Sequence, residues 1–285
     1  MSIVFNGNSL NTQFRAVLCR IKISLAMSNE TVSPQNPIPN PTNRGSVVAL
    51  IPARYAATRF PGKLMQKLGD KTVILHTHDN TVATGLFDEV IVVTDSDVIY
   101  REITGNGGMA EMSKKQHESG SDRIAEAAAY LKFDIVVNVQ GDEPFVQKEP
   151  LEKLLAVFAG EEGKNVQVAS LMQVLKEQKF IEDANYVKVA VDRNMNALFF
   201  SRSVIPYPRN TEAAITYYEH IGVYAFRKQA LLDFTNWPIT PLENAEKIEC
   251  LRYLEYGVPI KMVVTEYMGV EIDTPEDLQR AAKLV

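Results

Sequence analysis

Cysteine is almost absent: the 285 residues hold two, Cys19 and Cys250, in unrelated contexts. They form no zinc or redox spacing, and a reducing cytoplasm fits. No apolar run approaches the roughly 18 residues of a membrane helix. A surplus of positive charge is also missing. With 30 Lys+Arg against 35 Asp+Glu the net charge is −5, which argues against a broad nucleic-acid or anionic-membrane surface, so any anion site must be local. No Ser-His-Asp or Cys-His arrangement is evident. A glycine-rich fingerprint after the first strand is lacking too, because Gly105-Asn106-Gly107-Gly108 follows a helix and reads as its stop.

What remains is the composition of an ordinary soluble globular protein, 46% hydrophobic and 23% charged, long enough for one or two domains with a substantial core. Residues 1–45 differ from the rest. Residues 1–26 hold no acid but carry Arg15, Arg20 and Lys22, and residues 33–41 contain four prolines. A transit peptide is one explanation. A signal peptide fits less well, since Arg20 and Lys22 interrupt residues 17–26. An upstream start codon, with Met27 as the true beginning, is the favoured one. The expectation is an extension over 1–45, disordered over 34–45, ahead of a single domain over 46–285.

The domain is organised around Val47-Val48-Ala49-Leu50-Ile51-Pro52-Ala53-Arg54 and the loop to Lys63. Five apolar residues read as a strand buried on both faces, and Pro52 ends it. Arg54, Arg59 and Lys63 follow, at the carboxyl end of a strand, where open α/β sheets bind ligands. Small residues among them let a backbone approach, and the three cations could hold a polyphosphate; a solvated basic loop is the alternative. Beyond it, helices are expected over 72–83, 98–104, 123–131 and 150–158, alternating with strands over 89–94 and 134–139. That alternation predicts an α/β fold with a mostly parallel sheet and helices on both faces. Strands over 166–171, 187–191, 197–200 and 221–226 read as an antiparallel insertion, joined in part by the turn Asp192-Arg193-Asn194. One helix over 242–256 follows, with Leu242 inward and Glu243 outward. A strand over 260–266 and a closing helix capped by Thr274-Pro275-Glu276-Asp277 complete the chain.

Two carboxylates delivered to one sheet edge from distant parts of the chain, Asp142 and Asp273, are what Mg²⁺ needs when phosphate and water complete its octahedron. Alone, Asp273 could equally be a helix N-terminal acid and Asp142 a turn residue. His76 and His78, two apart on a helix, share no face and stay structural.

Three segments carry a resemblance: residues 50–63, Val137-Asn138-Val139-Gln140-Gly141-Asp142-Glu143-Pro144, and Ile272-Asp273-Thr274-Pro275-Glu276-Asp277-Leu278. In their order and distances they resemble the signatures of the 3-deoxy-manno-octulosonate (Kdo) cytidylyltransferases, from about Val47 to the end. The resemblance implies a Rossmann-like fold of the nucleotide-diphospho-sugar transferase type and a cytoplasmic homodimer serving lipopolysaccharide synthesis. Its substrates would be CTP and a 2-keto sugar acid, with no nucleic acid and no membrane. It implies Mg²⁺ on Asp142 and Asp273, and catalysis by these with Arg54 and Lys63. Nucleotide contacts would come from Arg54, Arg59, Lys63, Ser119, Gly120, Arg123 and Gln140, although Ser119 and Gly120 also suit an ordinary helix cap.

Sugar contacts would come from His220 and Tyr224, from Glu249, and from Arg202, whose guanidinium can pair with the substrate's acid group. A lone histidine in an apolar strand is otherwise more often a satisfied core residue. One departure stands out: relatives commonly have Glu-Gln where this chain has Glu249-Cys250, and that glutamine contacts the sugar. An amino-substituted Kdo or sialic acid is therefore an alternative substrate. A metal-dependent glycosyltransferase of related fold is an alternative from another class, separable because it releases no pyrophosphate.

Overall fold

The run Val47-Val48-Ala49-Leu50-Ile51 has no polar residue to turn toward water, and the strand it forms, β1 (Val47–Ala53), is buried on both faces. A computed structural model describes residues 44–56, 60–117, 119–210, 212–266 and 270–285. The chain divides between Ile38 and Pro39, and every described residue belongs to the second unit. The expectation for residues 1–43 lies outside the described residues. Arg44 and Gly45, assigned to the extension, are held by the body: the Arg44 guanidinium donates to the Leu86 carbonyl at 2.8 Å.

After β1 come α1 (Val73–Ala83), β2 (Glu89–Thr94), α2 (Asp97–Gly105), β3 (Met109–Met112), α3 (Gly120–Ala128), β4 (Ile135–Asn138) and α4 (Lys148–Ala156). The second half holds β5 (Val168–Leu175), β6 (Lys188–Val191), β7 (Ala197–Ser201), β8 (Tyr217–Arg227), α5 (Lys228–Asn236), α6 (Pro241–Glu246), α7 (Leu251–Glu255), β9 (Ile260–Val264) and α8 (Pro275–Ala281). One sheet runs in the order β9-β5-β8-β4-β1-β2-β3, with β6 added to β8 and β7 to β6.

Strand β1 is parallel to β2 and β4, β2 to β3, and β9 to β5, while β8 runs antiparallel to both β4 and β5. From β1 the chain steps outward to β2 and β3, then returns to the other side of β1 for β4. The carboxyl ends of β1 and β4 therefore flank a switch point, where such sheets open a crevice. Alternation along β1 sends Val47, Ala49 and Ile51 into one core layer, with α1, α2 and α4. Val48 and Leu50 enter the other, with α3, α5 and α7.

Two expectations need correction. Residues 242–256 form two helices, because Lys247 adopts a left-handed conformation (φ 55°) and ends α6. Leu242, expected inward, is 42% exposed, whereas Glu243, expected outward, is buried against Arg252. The guanidinium spans both Glu243 oxygens at 2.7 and 2.5 Å and also donates to the Phe234 and Trp237 carbonyls. Separately, β3 escapes a pattern search because Met109-Ala110-Glu111-Met112 is a partly exposed edge strand with no apolar run.

A buried ion pair that loses one partner leaves an uncompensated charge. Arg252→Met should thus cost about 3–5 kcal/mol in urea unfolding, and pairing it with Glu243→Leu should recover much of that. A single variant as stable as the parent would show that the pair carries little weight.

Candidate active site

The loop leaving β1 is drawn closed by a hydrogen bond from the Gly62 amide to the Tyr55 carbonyl at 3.1 Å. Gly62 takes φ 68°, a left-handed turn that places Lys63 at the head of a short 3₁₀ helix, Lys63–Met65. From there the Lys63 ammonium reaches Asp142 Oδ2 at 2.5 Å and Asp273 Oδ1 at 2.6 Å. Burial alone would lower its pKa; the two carboxylates outweigh that and hold it above the usual lysine value.

Asp142 is delivered by β4 and Asp273 by the segment before α8. The Ile272 amide donates to the Asp142 carbonyl at 3.0 Å, which ties the two segments together. Gly141 allows the close approach: a Cβ there would lie 2.9 Å from the Pro52 carbonyl oxygen. Capping of α8 falls to Thr274, whose hydroxyl accepts from the Asp277 amide while the Asp277 carboxylate accepts from the Thr274 amide. The Asp273 carboxylate is thereby left to face Lys63.

Glu271, absent from the sequence expectations, joins them. One oxygen from each of Asp142, Glu271 and Asp273 lies within 4.8 Å of the others. Only its place one residue before Ile272-Asp273 could have signalled it. Three carboxylates in so small a space are a hard, all-oxygen donor set of the kind Mg²⁺ or Ca²⁺ takes. The neighbouring Glu143 turns into an apolar recess lined by Val139, Leu151 and Val223. Burial, reinforced by Asp142 and Glu271, pushes its carboxyl up to about 8, so it adds little negative charge to the cluster at neutral pH.

A cavity of about 360 Å³ opens over these groups, lined by Arg54, Lys63, Ser119, Gly120, Arg123, Gln140, Asp142, Glu249 and Asp273. Arg59 lies outside the described residues. Ser119 lines the cavity and also caps α3, accepting from the Asp122 amide at 3.1 Å. The Arg123 guanidinium is held from behind by Asp95 at 2.9 Å and Ser113 at 3.1 Å. Missed by sequence reasoning, His117 also lines the cavity, with its Nε2 against Glu126 at 2.7 Å.

A second cavity of about 310 Å³ adjoins the first at Gly120, Gln140 and Glu249. Arg202, His220 and Tyr224 are all on its wall, as are Asn138 and Lys247. A bulge in β8 between Ile221 and Tyr224 turns the Gly222 carbonyl toward Gln140 Nε2, 3.1 Å away. His220 meets Ser170 Oγ at 3.0 Å and packs against Phe200 and Tyr224. Burial pushes its imidazole down to about 4, so it is neutral at pH 7 and serves as a hydrogen-bonding group, not a cation. Arg202 spends part of its fork on the Glu246 and Ala184 carbonyls.

Asn138 was missed as a candidate; it is 2% exposed and its Oδ1 has no hydrogen-bond partner. Cys250 is the correction on this side. It lies in the core at 2% exposure, behind Tyr224, and lines neither cavity, so it is no shortened version of a sugar-contacting glutamine.

A crevice at the switch point, with cations facing clustered carboxylates and a second polar cavity alongside, suits an enzyme that brings a nucleotide and a second polar substrate together. The family model described as "Cytidylyltransferase" matches residues 48–263. Over 239 residues the chain is 59% identical to a 3-deoxy-manno-octulosonate cytidylyltransferase of Flavobacterium johnsoniae, covering 84% of this chain and 98% of that protein. It is 56% identical to one of Christiangramia forsetii, covering 85% and 98%. A solved structure of CMP:2-keto-3-deoxy-manno-octonic acid synthetase complexed with CTP superposes with a TM-score of 0.79 at 34% identity, over 84% of this chain and 98% of that one. The chain belongs to the cytidylyltransferase family, in the branch of the 3-deoxy-manno-octulosonate cytidylyltransferases.

The depressed His220 pKa makes a pH prediction. An unfolded histidine binds a proton below about 6.5 and the folded one only near 4, so stability is full above the first value and falls as pH drops toward the second. Between pH 7 and 5 this should remove on the order of 2 kcal/mol. His220→Gln should flatten that part of the profile in chemical denaturation, and an unchanged slope would refute the assignment.

Proposed function

We propose that this enzyme joins CTP to 3-deoxy-manno-octulosonate, giving CMP-Kdo and pyrophosphate for lipopolysaccharide assembly. The observation that carries this reading is the pair of adjoining cavities. One is walled by cations and carboxylates suited to a triphosphate; the other is walled by Arg202, neutral His220 and Tyr224, suited to a polyhydroxylated acid.

The sugar's anomeric hydroxyl attacks the α-phosphorus in line as pyrophosphate departs, so the protein's task is positioning and charge neutralisation. Arg54 and Lys63 spread the triphosphate's charge, and Arg202 orients the sugar by its carboxylate. Asp142, Asp273 and Glu271 fit a divalent cation; we assign them Mg²⁺, which when bound would screen the phosphates and polarise the one under attack. Lys63 would hold the cluster together by offsetting part of its negative charge. The cytoplasm, where CTP is made, and a homodimer complete the proposal.

A pyrophosphate-release assay with Kdo against each of the four nucleoside triphosphates tests it: CTP alone should support turnover. Release with another nucleotide in preference, or with an amino-substituted Kdo in preference to Kdo, would overturn the substrate assignment. Asp142→Asn should fold and melt close to the parent yet lose several orders of magnitude in turnover, about 10³-fold or more. Near-normal turnover would remove Asp142 from the machinery.

A further inference from the structure

Activating a sugar hydroxyl for attack on phosphorus requires somewhere for its proton to go. The two cavities share three lining residues, Gly120, Gln140 and Glu249. With the nucleotide in one cavity and the sugar acid in the other, as proposed above, that seam is where the new phosphorus–oxygen bond would form. Gly120 has no side chain, and the Gln140 carboxamide takes up no proton at neutral pH. Glu249 is the one acid–base group among the described residues on both linings.

Other candidates are already committed. Asp142 and Asp273 are bound to Lys63 and line the nucleotide cavity alone. His220 is on the sugar cavity alone and too weak a base once buried. Resting on the reaction proposed above, we propose that Glu249 is its general base. The carboxylate takes the proton from the anomeric hydroxyl while that oxygen bonds to the α-phosphorus. The bond from the α-phosphorus to the bridging oxygen breaks, and its electron pair leaves with pyrophosphate. Water takes the proton from Glu249 after product release.

The surroundings suit this role. Glu249 sits on the link between α6 and α7, released from a helix face by the break at Lys247, and projects into the cleft where solvent reaches it. The Ser121 hydroxyl donates to its Oε2 at 2.9 Å and fixes its direction. Crowding by protein atoms raises its pKa, as do Asp122 on α3 and Glu243 on α6; Ser121 and Arg252 on α7 pull the other way, and the raising effects win. Lys247 lines the sugar cavity nearby. A carboxylate moved toward neutrality is a stronger base than an ordinary glutamate.

The test is the pH dependence of steady-state kinetics with CTP, Kdo and Mg²⁺. Glu249→Gln should lower kcat by about 10²- to 10⁴-fold, leave the KM for CTP within about threefold, and erase the acid limb of the kcat profile. Glu249→Asp should keep that limb and recover part of the rate. Unchanged CTP binding by calorimetry would show that each variant is folded. If Glu249→Gln keeps kcat within a few-fold and raises only the KM for Kdo, the residue is a sugar contact and the proposal falls. A large loss with the acid limb intact overturns it equally. A parent enzyme that releases no pyrophosphate from CTP and Kdo would sink the reaction itself.

Discussion

The first cavity is organised around one ammonium group held between two carboxylates. Lys63, Asp142 and Asp273 come from three separate segments, and the closest pair in sequence is 79 residues apart. Two acids converging at a sheet edge repel each other and resist leaving water; a cation between them, together with the hydrogen bond from the Ile272 amide to the Asp142 carbonyl, lets the segments close. The same charges then face the cavity. The folded state therefore keeps a concentrated cluster in which one cation faces three carboxylates, with acid in excess.

The two cavities are made by two kinds of strand pairing. Parallel strands β1 and β4 end side by side and leave a crevice, where the first cavity opens. Antiparallel β8 lies against β4 on one edge and β5 on the other, carrying His220 and Tyr224 to the neighbouring wall. Its bulge frees a carbonyl to hold Gln140, a residue of both cavities. Two unlike cavities thus come from one sheet in which a single strand, β8, runs against both β4 and β5.

Much of this was legible because it is local. A short apolar run rich in β-branched residues and bounded by turn signals reads as a strand covered on both sides, and β1, β2 and β4 read that way. The antiparallel block was readable from its grammar of short strands and a tight turn. Asp142 was visible as an acid at a strand end, Asp273 as one ahead of the closing helix, and Thr274 as its cap. Hidden were the features that depend on pairing at a distance. Residues 242–256 have unbroken helical periodicity, and nothing local shows that Lys247 will turn left-handed or that Glu243 will swing inward to meet Arg252. Glu271 looks like any exposed acid until Ile272 is bonded to the Asp142 carbonyl. Cys250 was read as a substitution within a pocket, whereas the helix break carries it behind Tyr224.

That placement gives the thiol a different use. Cys250 is 2% exposed, and burial, opposed by a hydrogen bond with Tyr224, pushes its pKa up to about 12. In the native fold it is thus neither ionised nor reachable, and alkylating or oxidising reagents must wait for α7 to lift away. The rate at which it is modified measures how often that helix opens, making Cys250 a natural clock for the local unfolding of the wall behind the second cavity.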